Sequence, residues 1–405
     1  MQPGGLPSGV SLAGVKPAAW CVPFVAVALL LAACGGSGGD SGPSPERVAA
    51  LGARIFEDVS LSASGRQSCA TCHDVAHAHG PPNALATQPG GATMDQQGAR
   101  AAPAIDYAAF AGAFRFDANG RPVGGLFWDG RAATLQEQAA SPLLSPLEMA
   151  NNTRAEVVAR LARAAYADEF KALFGADIFS RGEEAFERAT LALQQFQQGA
   201  AFRPFSSRYD AALRGAAALT AAEQRGLALF TSPAKGNCAA CHPATPRPDG
   251  GPPLFTNFGY ENLGVPRNPG LVRNEDGLYF DIGLCGRGDL QLRTDLCGFF
   301  KVPTLRNVAR RGSFFHNGRF GSLREVLSFY ATRDTEPERW YPRDEAGTVL
   351  KFDDLPPHLR GSVNTHTPPY AGRVAGGAPA LSESEIDDLL AFLLTLNDGY
   401  TVSPP

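Results

Sequence analysis

The chain contains one pentapeptide pattern twice, as Cys69-Ala70-Thr71-Cys72-His73 and as Cys238-Ala239-Ala240-Cys241-His242. Two thiols one helical turn apart can add to the vinyl groups of a porphyrin, and the imidazole that follows can ligate its iron, as in c-type haem attachment. A single Cys-x-x-Cys could instead bind zinc or act as a redox pair. Two copies, each followed directly by His, predict two covalently bound haem c groups.

The two motifs lie in different halves of a 405-residue chain, which is long enough for two domains. The segments that precede them also match, because Gly226-Leu227-Ala228-Leu229-Phe230 repeats the pattern of Gly52-Ala53-Arg54-Ile55-Phe56. We therefore predict a mainly α protein with long irregular loops, built by duplication from two cytochrome c-like domains. The predicted domains are residues 46–210 and 211–405, each with one haem.

Signals for helix N-termini support this fold class. Ser44 precedes a Pro at the first helical position, and capping boxes, in which Ser or Thr is followed three residues later by Glu, begin at Thr153, Thr220 and Ser382. Apolar residues recur at helical spacing after these positions. The long Pro-rich stretch at residues 331–380 predicts either functional cover or disorder.

The N-terminus has the composition of a secretory signal peptide, which we assign to residues 1–33. Its apolar part, residues 18–33, is too short to span a bilayer comfortably. It ends in a Leu-Ala-Ala-Cys sequence that resembles the lipobox of bacterial lipoproteins, with Cys34 as the lipid-bearing residue; the alternative is an ordinary signal peptide with an incidental cysteine. Residues 34–45 are rich in Gly, Ser and Pro and predict a flexible tether. The sequence thus predicts a periplasmic protein anchored to the membrane through Cys34.

Charge and the remaining cysteines narrow the possibilities further. The formal net charge is -4 and no basic run is present, which argues against a nucleic-acid partner. Cys285 and Cys297 belong neither to the haem motifs nor to the leader. In an oxidising compartment they are expected to pair and to stabilise the fold by about 3 kcal/mol, although two free buried thiols are the alternative.

The second haem cannot have a methionine ligand from its own half. The chain has three methionines, Met1, Met94 and Met149, and all of them precede the second motif. The candidates for the far side of that iron are therefore His316, His358, His366, a Tyr, a Lys or water.

Three further segments resemble motifs of the bacterial di-haem cytochrome c peroxidase and MauG superfamily. They are Phe127-Trp128-Asp129-Gly130-Arg131, Lys301-Val302-Pro303-Thr304-Leu305-Arg306-Asn307 and His316-Asn317-Gly318. With the two haem motifs the similarity runs from about residue 46 to 396. The resemblance implies that Tyr330, fourteen residues after His316, ligates the second haem, because this position is similar to that of the Tyr-ligated MauG branch. The alternative is that Tyr330 is a packing aromatic in a helix.

The resemblance also implies an asymmetric pair of sites. His73 would hold the first haem, whose far side is open because residues 80–128 contain no His. Gln138 and Glu148 match distal-pocket positions of the family, and a carboxylate near bound peroxide can move the proton needed for O–O cleavage. Trp128 would relay electrons between the haems. The plainer alternatives are a solvated helix start for Glu148 and a buried interface residue for Trp128.

The implied activity is reduction of hydrogen peroxide at the N-terminal haem, with electrons relayed through the C-terminal haem. The donor is either a small cytochrome c or cupredoxin, or a protein whose side chain is oxidised, as MauG relatives do. A non-enzymatic di-haem electron carrier is the rival, with Met94 as a further ligand of the first haem. The family often binds calcium between its domains, but the matching positions here are Ala101, Arg311 and Ser313. Calcium is therefore doubtful, although backbone oxygens could still serve as ligands.

Overall fold

The computed structural model describes residues 42–401, and over this range the protein is mainly helical with little sheet. The α-helices of this range are α1 Pro45–Glu57, α2 Cys69–Cys72, α3 Leu135–Leu144, α4 Arg154–Leu161, α5 Ala167–Phe174, α6 Gly182–Gln197, α7 Arg208–Leu213, α8 Ala221–Thr231, α9 Leu323–Thr332 and α10 Glu383–Leu394. The strands form three antiparallel two-stranded ribbons, which pair β1 Pro89–Gly90 with β2 Gln96–Gln97, β3 Arg115–Phe116 with β4 Pro122–Val123, and β5 Tyr260–Glu261 with β6 Phe300–Lys301. The predicted mainly α class with long irregular connections is confirmed.

Side chains at the predicted positions cap the helices. The Ser44 hydroxyl accepts a hydrogen bond from the Arg47 amide at 3.3 Å, and Thr220 and Ser382 form reciprocal capping boxes with the Glu three residues on. Thr153 also caps its helix, but the Glu156 carboxylate accepts from the Asn152 amide and not from the Thr153 amide. The capping box predicted at Thr153 is therefore incomplete, because the Glu156 carboxylate accepts from the amide of the residue before the N-cap.

The same helix crossing occurs in both halves of the molecule. A Cβ added to Gly52 on α1 would lie 2.0 Å from the carbonyl oxygen of Ala192 on α6. A Cβ added to Gly226 on α8 would lie 2.0 Å from the carbonyl oxygen of Asp388 on α10. Only glycine allows backbones to approach this closely, so the repeated Gly-x-x-x-Phe pattern marks a repeated packing of two helices.

Each half has its own hydrophobic core. One core is built from residues between Val48 and Phe202, and the other from residues between Tyr209 and Leu396. The domain boundary near residue 210 remains a prediction. Hydrogen bonds join the halves, among them Lys301 amide to Trp128 carbonyl at 2.8 Å and Tyr107 hydroxyl to an Asp398 carboxylate oxygen at 2.8 Å.

Other predictions concern the cysteines and the N-terminus. Cys285 and Cys297 form the predicted disulfide. Over residues 42–401 we find no helix that is both long and apolar enough to cross a membrane. The predicted signal peptide and the lipid site at Cys34 lie outside the described residues, as does most of the predicted tether, and α1 begins at Pro45.

Candidate active site

A single cavity of about 1260 Å³ runs between the two halves and is lined by residues of both cysteine-histidine motifs. The predicted site residues that line it are Cys72, His73, Trp128, Gln138, Glu148, Cys238, Cys241, His242 and Tyr330. Cys69 is the one predicted haem-attachment residue that does not line it, and Cys69 packs against the N-terminal core. The fold therefore brings together residues that lie up to 258 positions apart in the sequence, from Cys72 to Tyr330.

The first motif forms a short helix that presents its histidine to the cavity. In α2 the His73 amide donates to the Cys69 carbonyl at 2.9 Å, and Ser68 and Thr71 cap the helix reciprocally. His73 Nδ1 lies 3.1 Å from the His79 carbonyl oxygen, which accepts its proton and leaves Nε2 free to ligate iron. Burial lowers the pKa of His73 to about 4, so the imidazole is neutral at physiological pH, as a metal ligand must be.

The second motif repeats this arrangement on a single 3₁₀ turn. The His242 amide donates to the Cys238 carbonyl at 2.8 Å, and His242 Nδ1 lies 2.8 Å from the Phe255 carbonyl oxygen. Burial lowers the pKa of His242 to about 4 as well. Both histidines thus have the same tautomer and the same second-sphere partner, a backbone carbonyl.

None of the four motif cysteines is paired in a disulfide. Burial raises the pKa of Cys238 to about 12 and that of Cys72 to about 11. Cys72, Cys238 and Cys241 line the same cavity as His73 and His242, and Cys69 packs against the N-terminal core. The residues present therefore fit two haem c groups, each held by two thioethers and one imidazole.

A carboxyl group lines the cavity wall near the first site. Gln138 and Pro142 are in α3, and Glu148 follows this helix, where the Gly91 amide donates to the Glu148 carbonyl at 2.8 Å. Removal from bulk water raises the pKa of Glu148. The Gln67 side-chain amide, two residues before Cys69, donates to the Glu148 carbonyl, which places Glu148 near the first motif. Glu148 lines the cavity from a turn that follows α3, so it is not at a helix start, and its side chain is exposed.

Trp128 lies at the junction of the two halves. Its ring is 9% exposed, and its Nε1 donates to the Ala101 carbonyl at 2.8 Å. Next to it, Asp129 forms an ion pair with Arg100 at 2.6 Å. The indole hydrogen bond and the ion pair of the neighbouring Asp129 hold Trp128 on the cavity wall. Trp128 is therefore a buried residue at the junction of the halves that also lines the cavity.

The far side of the second site is aromatic. Tyr330, on α9, lines the cavity, and burial followed by the nearby Tyr370, Cys241 and Cys238 raises its pKa well above the ordinary value. The Tyr370 ring stacks on it with a centroid distance of 6.2 Å, and the Arg333 guanidinium lies 3.4 Å from the Tyr370 ring centroid.

Sequence reasoning missed Tyr370. Its hydroxyl is buried on the cavity wall and has no hydrogen-bond partner among residues 42–401. A buried hydroxyl without a partner is costly, so its position suits contact with a bound cofactor. The residue belongs to the Pro-rich stretch 331–380, and this stretch therefore contributes to the cover of the cavity. No motif distinguishes Tyr370 from other loop aromatics.

The other candidate ligands of the second haem are engaged elsewhere or lie off the cavity. His316 stacks on Phe300 at 3.5 Å, and its Nε2 is 3.3 Å from an Asp354 carboxylate oxygen. The Lys301 ammonium donates to the Tyr260 hydroxyl at 2.7 Å. His366 borders the cavity but is exposed.

Met94 and His358 are not among the residues that line the cavity. The two histidines that follow the first motif, His77 and His79, have carboxylate partners. His77 pairs with Asp74 near the surface, and the buried His79 pairs with Asp106 at 2.7 Å.

The positions matched to calcium ligands contain a guanidinium group. Arg311 Nε donates to the Ser313 carbonyl at 3.3 Å and its Nη2 to the Ala102 carbonyl at 3.1 Å. Over the described part of the chain, no three His, Cys, Asp or Glu side chains cluster as a metal site. Calcium binding is still untested, and the carbonyl of Ser313 already has a cationic partner.

Comparison with known proteins gives consistent matches. Residues 46–218 match the family model described as di-haem cytochrome c peroxidase. The chain is 37% identical to the methylamine utilization protein MauG of Paracoccus denitrificans, over 92% of this chain and 94% of that protein. It is 30% identical to the cytochrome c551 peroxidase of Nitrosomonas europaea, over 76% of this chain and 80% of that protein. Among solved structures it resembles the diheme peroxidase BthA of Burkholderia thailandensis, with 40% identity, a TM-score of 0.81 and coverage of 88% of this chain and 87% of that one.

Proposed function

The chain belongs to the di-haem cytochrome c peroxidase and MauG superfamily and is an oxidoreductase of the peroxidase type; on this premise we propose that it reduces hydrogen peroxide at the site of His73 with electrons that pass through the site of His242. The observation that carries the proposal is the one cavity that joins both motifs and is lined by the carboxyl group of Glu148 and by Tyr330 and Tyr370. The bound haem groups supply the iron that binds peroxide and exchanges electrons.

Glu148 is the proposed proton carrier of the first site. A carboxylate that takes the proton from one peroxide oxygen and returns it to the other promotes O–O cleavage, since the leaving oxygen departs as water. Its raised pKa suits this task, because the group must both accept and release a proton near neutral pH. Gln138, on the adjacent helix, is proposed to hold peroxide through its amide group.

Tyr330 is the proposed far-side ligand of the second haem. Burial opposes formation of a phenolate there, but coordination to a cationic iron favours it, as for other metal-bound groups. A phenolate is a hard anionic donor that stabilises higher oxidation states of iron, whereas a methionine would raise the potential. The second site would then retain oxidising equivalents, and Trp128, between the two sites, would exchange electrons between them.

The donor is proposed to be either a small cytochrome c or cupredoxin, or a protein substrate whose side chain is oxidised. Tyr330 favours the second type, and the superfamily as a whole favours the first. We place the reaction in the periplasm, with the body of the protein tethered to the membrane through Cys34. The alternative is a purely electron-carrying role in which Met94 could ligate the first haem, and Met94 does not line the cavity.

The test uses the purified protein with both haems attached. Peroxide consumption is followed with reduced cytochrome c, with a reduced cupredoxin, and with no donor. We expect consumption that depends on a donor and is lost in Glu148→Gln. A holoprotein with two haems that leaves peroxide unchanged with every donor would overturn the proposal.

A further inference from the structure

Three of the arginines that line the cavity are partly or fully buried, and one of these three differs from the other two. Arg306 pairs with both carboxylate oxygens of Asp210 at 2.8 Å, and Arg100 pairs with Asp281 and Asp129 at 2.6 Å. Arg311 forms no ion pair with any carboxylate among residues 42–401. Its hydrogen bonds go to the neutral carbonyl groups of Ser313 and Ala102.

The positive charge of Arg311 is therefore uncompensated by the protein. Burial lowers the pKa of Arg311 to about 10, which still leaves the guanidinium charged at neutral pH. A charge taken out of water is stable only when it is paired, so an anionic group is expected beside it.

Arg311 lies near the first motif. Its Nη2 donates to the Ala102 carbonyl at 3.1 Å, and three residues further along the chain the Ile105 amide donates at 3.2 Å to the His79 carbonyl, which also accepts from His73 Nδ1. Arg311 and His73 both line the cavity. An anion held in the cavity beside the first motif can therefore meet this guanidinium.

We propose that Arg311 binds a propionate carboxylate of the haem attached at His73. Haem c carries two propionates, and a guanidinium with two nitrogens already oriented by carbonyl groups still has donors available for a carboxylate. The inference rests on haem attachment at the first motif but not on the peroxidase cycle. It also gives the charge of Arg311 an anionic partner, which no protein carboxylate among residues 42–401 provides.

A guanidinium that is paired with a propionate should raise the reduction potential of the first haem. It neutralises a propionate and adds positive charge next to an iron that gains an electron on reduction, so both effects favour the reduced state. Removal of the charge should lower the reduction potential of the first haem and leave the second nearly unchanged.

The test compares Arg311→Gln with Arg311→Lys by potentiometric titration of both haems. Arg319→Gln is the matched control, since Arg319 is a partly buried arginine that does not line the cavity. We expect Arg311→Gln to reduce the equilibrium constant for reduction of the first haem about tenfold, which is about 59 mV for one electron. Arg311→Lys should recover most of this shift, and Arg319→Gln should show none.

An unchanged first-haem potential in Arg311→Gln, or an equal shift of both haems, would contradict the assignment. If the glutamine variant does not fold, resonance Raman spectra of the wild-type protein decide: the propionate bending band of the first haem should shift in D₂O, and no shift would contradict the proposal. Haem content separates this test from the proposed function. Fewer than two haems per chain would refute the function, whereas two haems with unaltered potentials refute only the role of Arg311.

Discussion

The two haem sites are alike on one side and different on the other. Near each motif the histidine is half-buried, has a pKa that its surroundings lower to about 4, and donates from Nδ1 to a backbone carbonyl. The cavity wall also carries the carboxyl group of Glu148 and the rings of Tyr330 and Tyr370. The duplicated fold therefore provides two similar histidine sites, and we propose that Glu148 and Tyr330 divide the chemistry between them.

The largest effect is expected from Tyr330→Phe. Loss of the proposed anionic ligand should abolish the long-lived oxidised state that forms after peroxide addition, because the second iron then lacks a donor that stabilises high oxidation states. Rapid-mixing optical spectroscopy measures the lifetime of this state. Tyr370→Phe is the control and should retain it, since only a hydroxyl without a protein partner is removed. Equal lifetimes in the wild type and Tyr330→Phe would remove the distinction between the two sites.

The next largest effect is expected from Glu148→Gln, which removes the proton acceptor of the first site. The rate of reaction with peroxide should fall by roughly 10²-fold to 10⁴-fold. Because the working form is the carboxylate and burial raises its pKa, the wild-type rate should decline as the pH falls through that raised value.

Stopped-flow rates from pH 4 to 9 check both statements, and the acidic limb should be missing in Glu148→Gln. The control is Glu183→Gln, since the Glu183 side chain is 73% exposed and far from the cavity wall. A variant at Glu148 that keeps the wild-type rate and pH profile would assign proton transfer to another group.

A smaller effect on stability is expected from removal of the disulfide, which is a feature of the C-terminal half. Cys285→Ser with Cys297→Ser should lower the free energy of unfolding by about 3 kcal/mol, because the cross-link restricts the unfolded chain. Denaturant unfolding of the holoprotein, followed at both haem bands, measures this. If the stability loss appeared only at the N-terminal haem band, the two hydrophobic cores would not be independent.

The smallest effects should be equal in the two halves. Gly52→Ala and Gly226→Ala each place a methyl group 2.0 Å from a backbone oxygen, so each should cost about 1–3 kcal/mol through overpacking. The same unfolding measurements test the pair, with Gly288→Ala as a control for a loop glycine that has open space around it and an ordinary φ. A tolerated substitution at one position only would show that the two helix crossings are not equivalent.

Local patterns predicted much of this fold. The motifs, the caps at Ser44, Thr220 and Ser382, the repeated glycine and the pairing of Cys285 with Cys297 all depend on short-range spacing or on simple elimination. Such features act within one or two helical turns, so the sequence alone is sufficient to locate them.

Features that arise from distant contacts were not predictable. Tyr370 reaches the cavity from a Pro-rich stretch without periodicity and is held by packing on Arg333. The unpaired charge of Arg311 becomes evident only when the partners of the other arginines are known. Arg306, for example, pairs with Asp210, which is 96 residues away in the sequence. The role of a residue that depends on its charged neighbours can therefore be recognised only from the three-dimensional structure.

The central claim is that the first iron has an open far side and the second is closed by Tyr330. Low-temperature electron paramagnetic resonance of the fully oxidised holoprotein tests it most directly. The account predicts one high-spin and one low-spin ferric haem in equal amounts, with the low-spin signal altered in Tyr330→Phe. Two low-spin haems in the wild-type protein, or a low-spin signal that does not change in that variant, would contradict it.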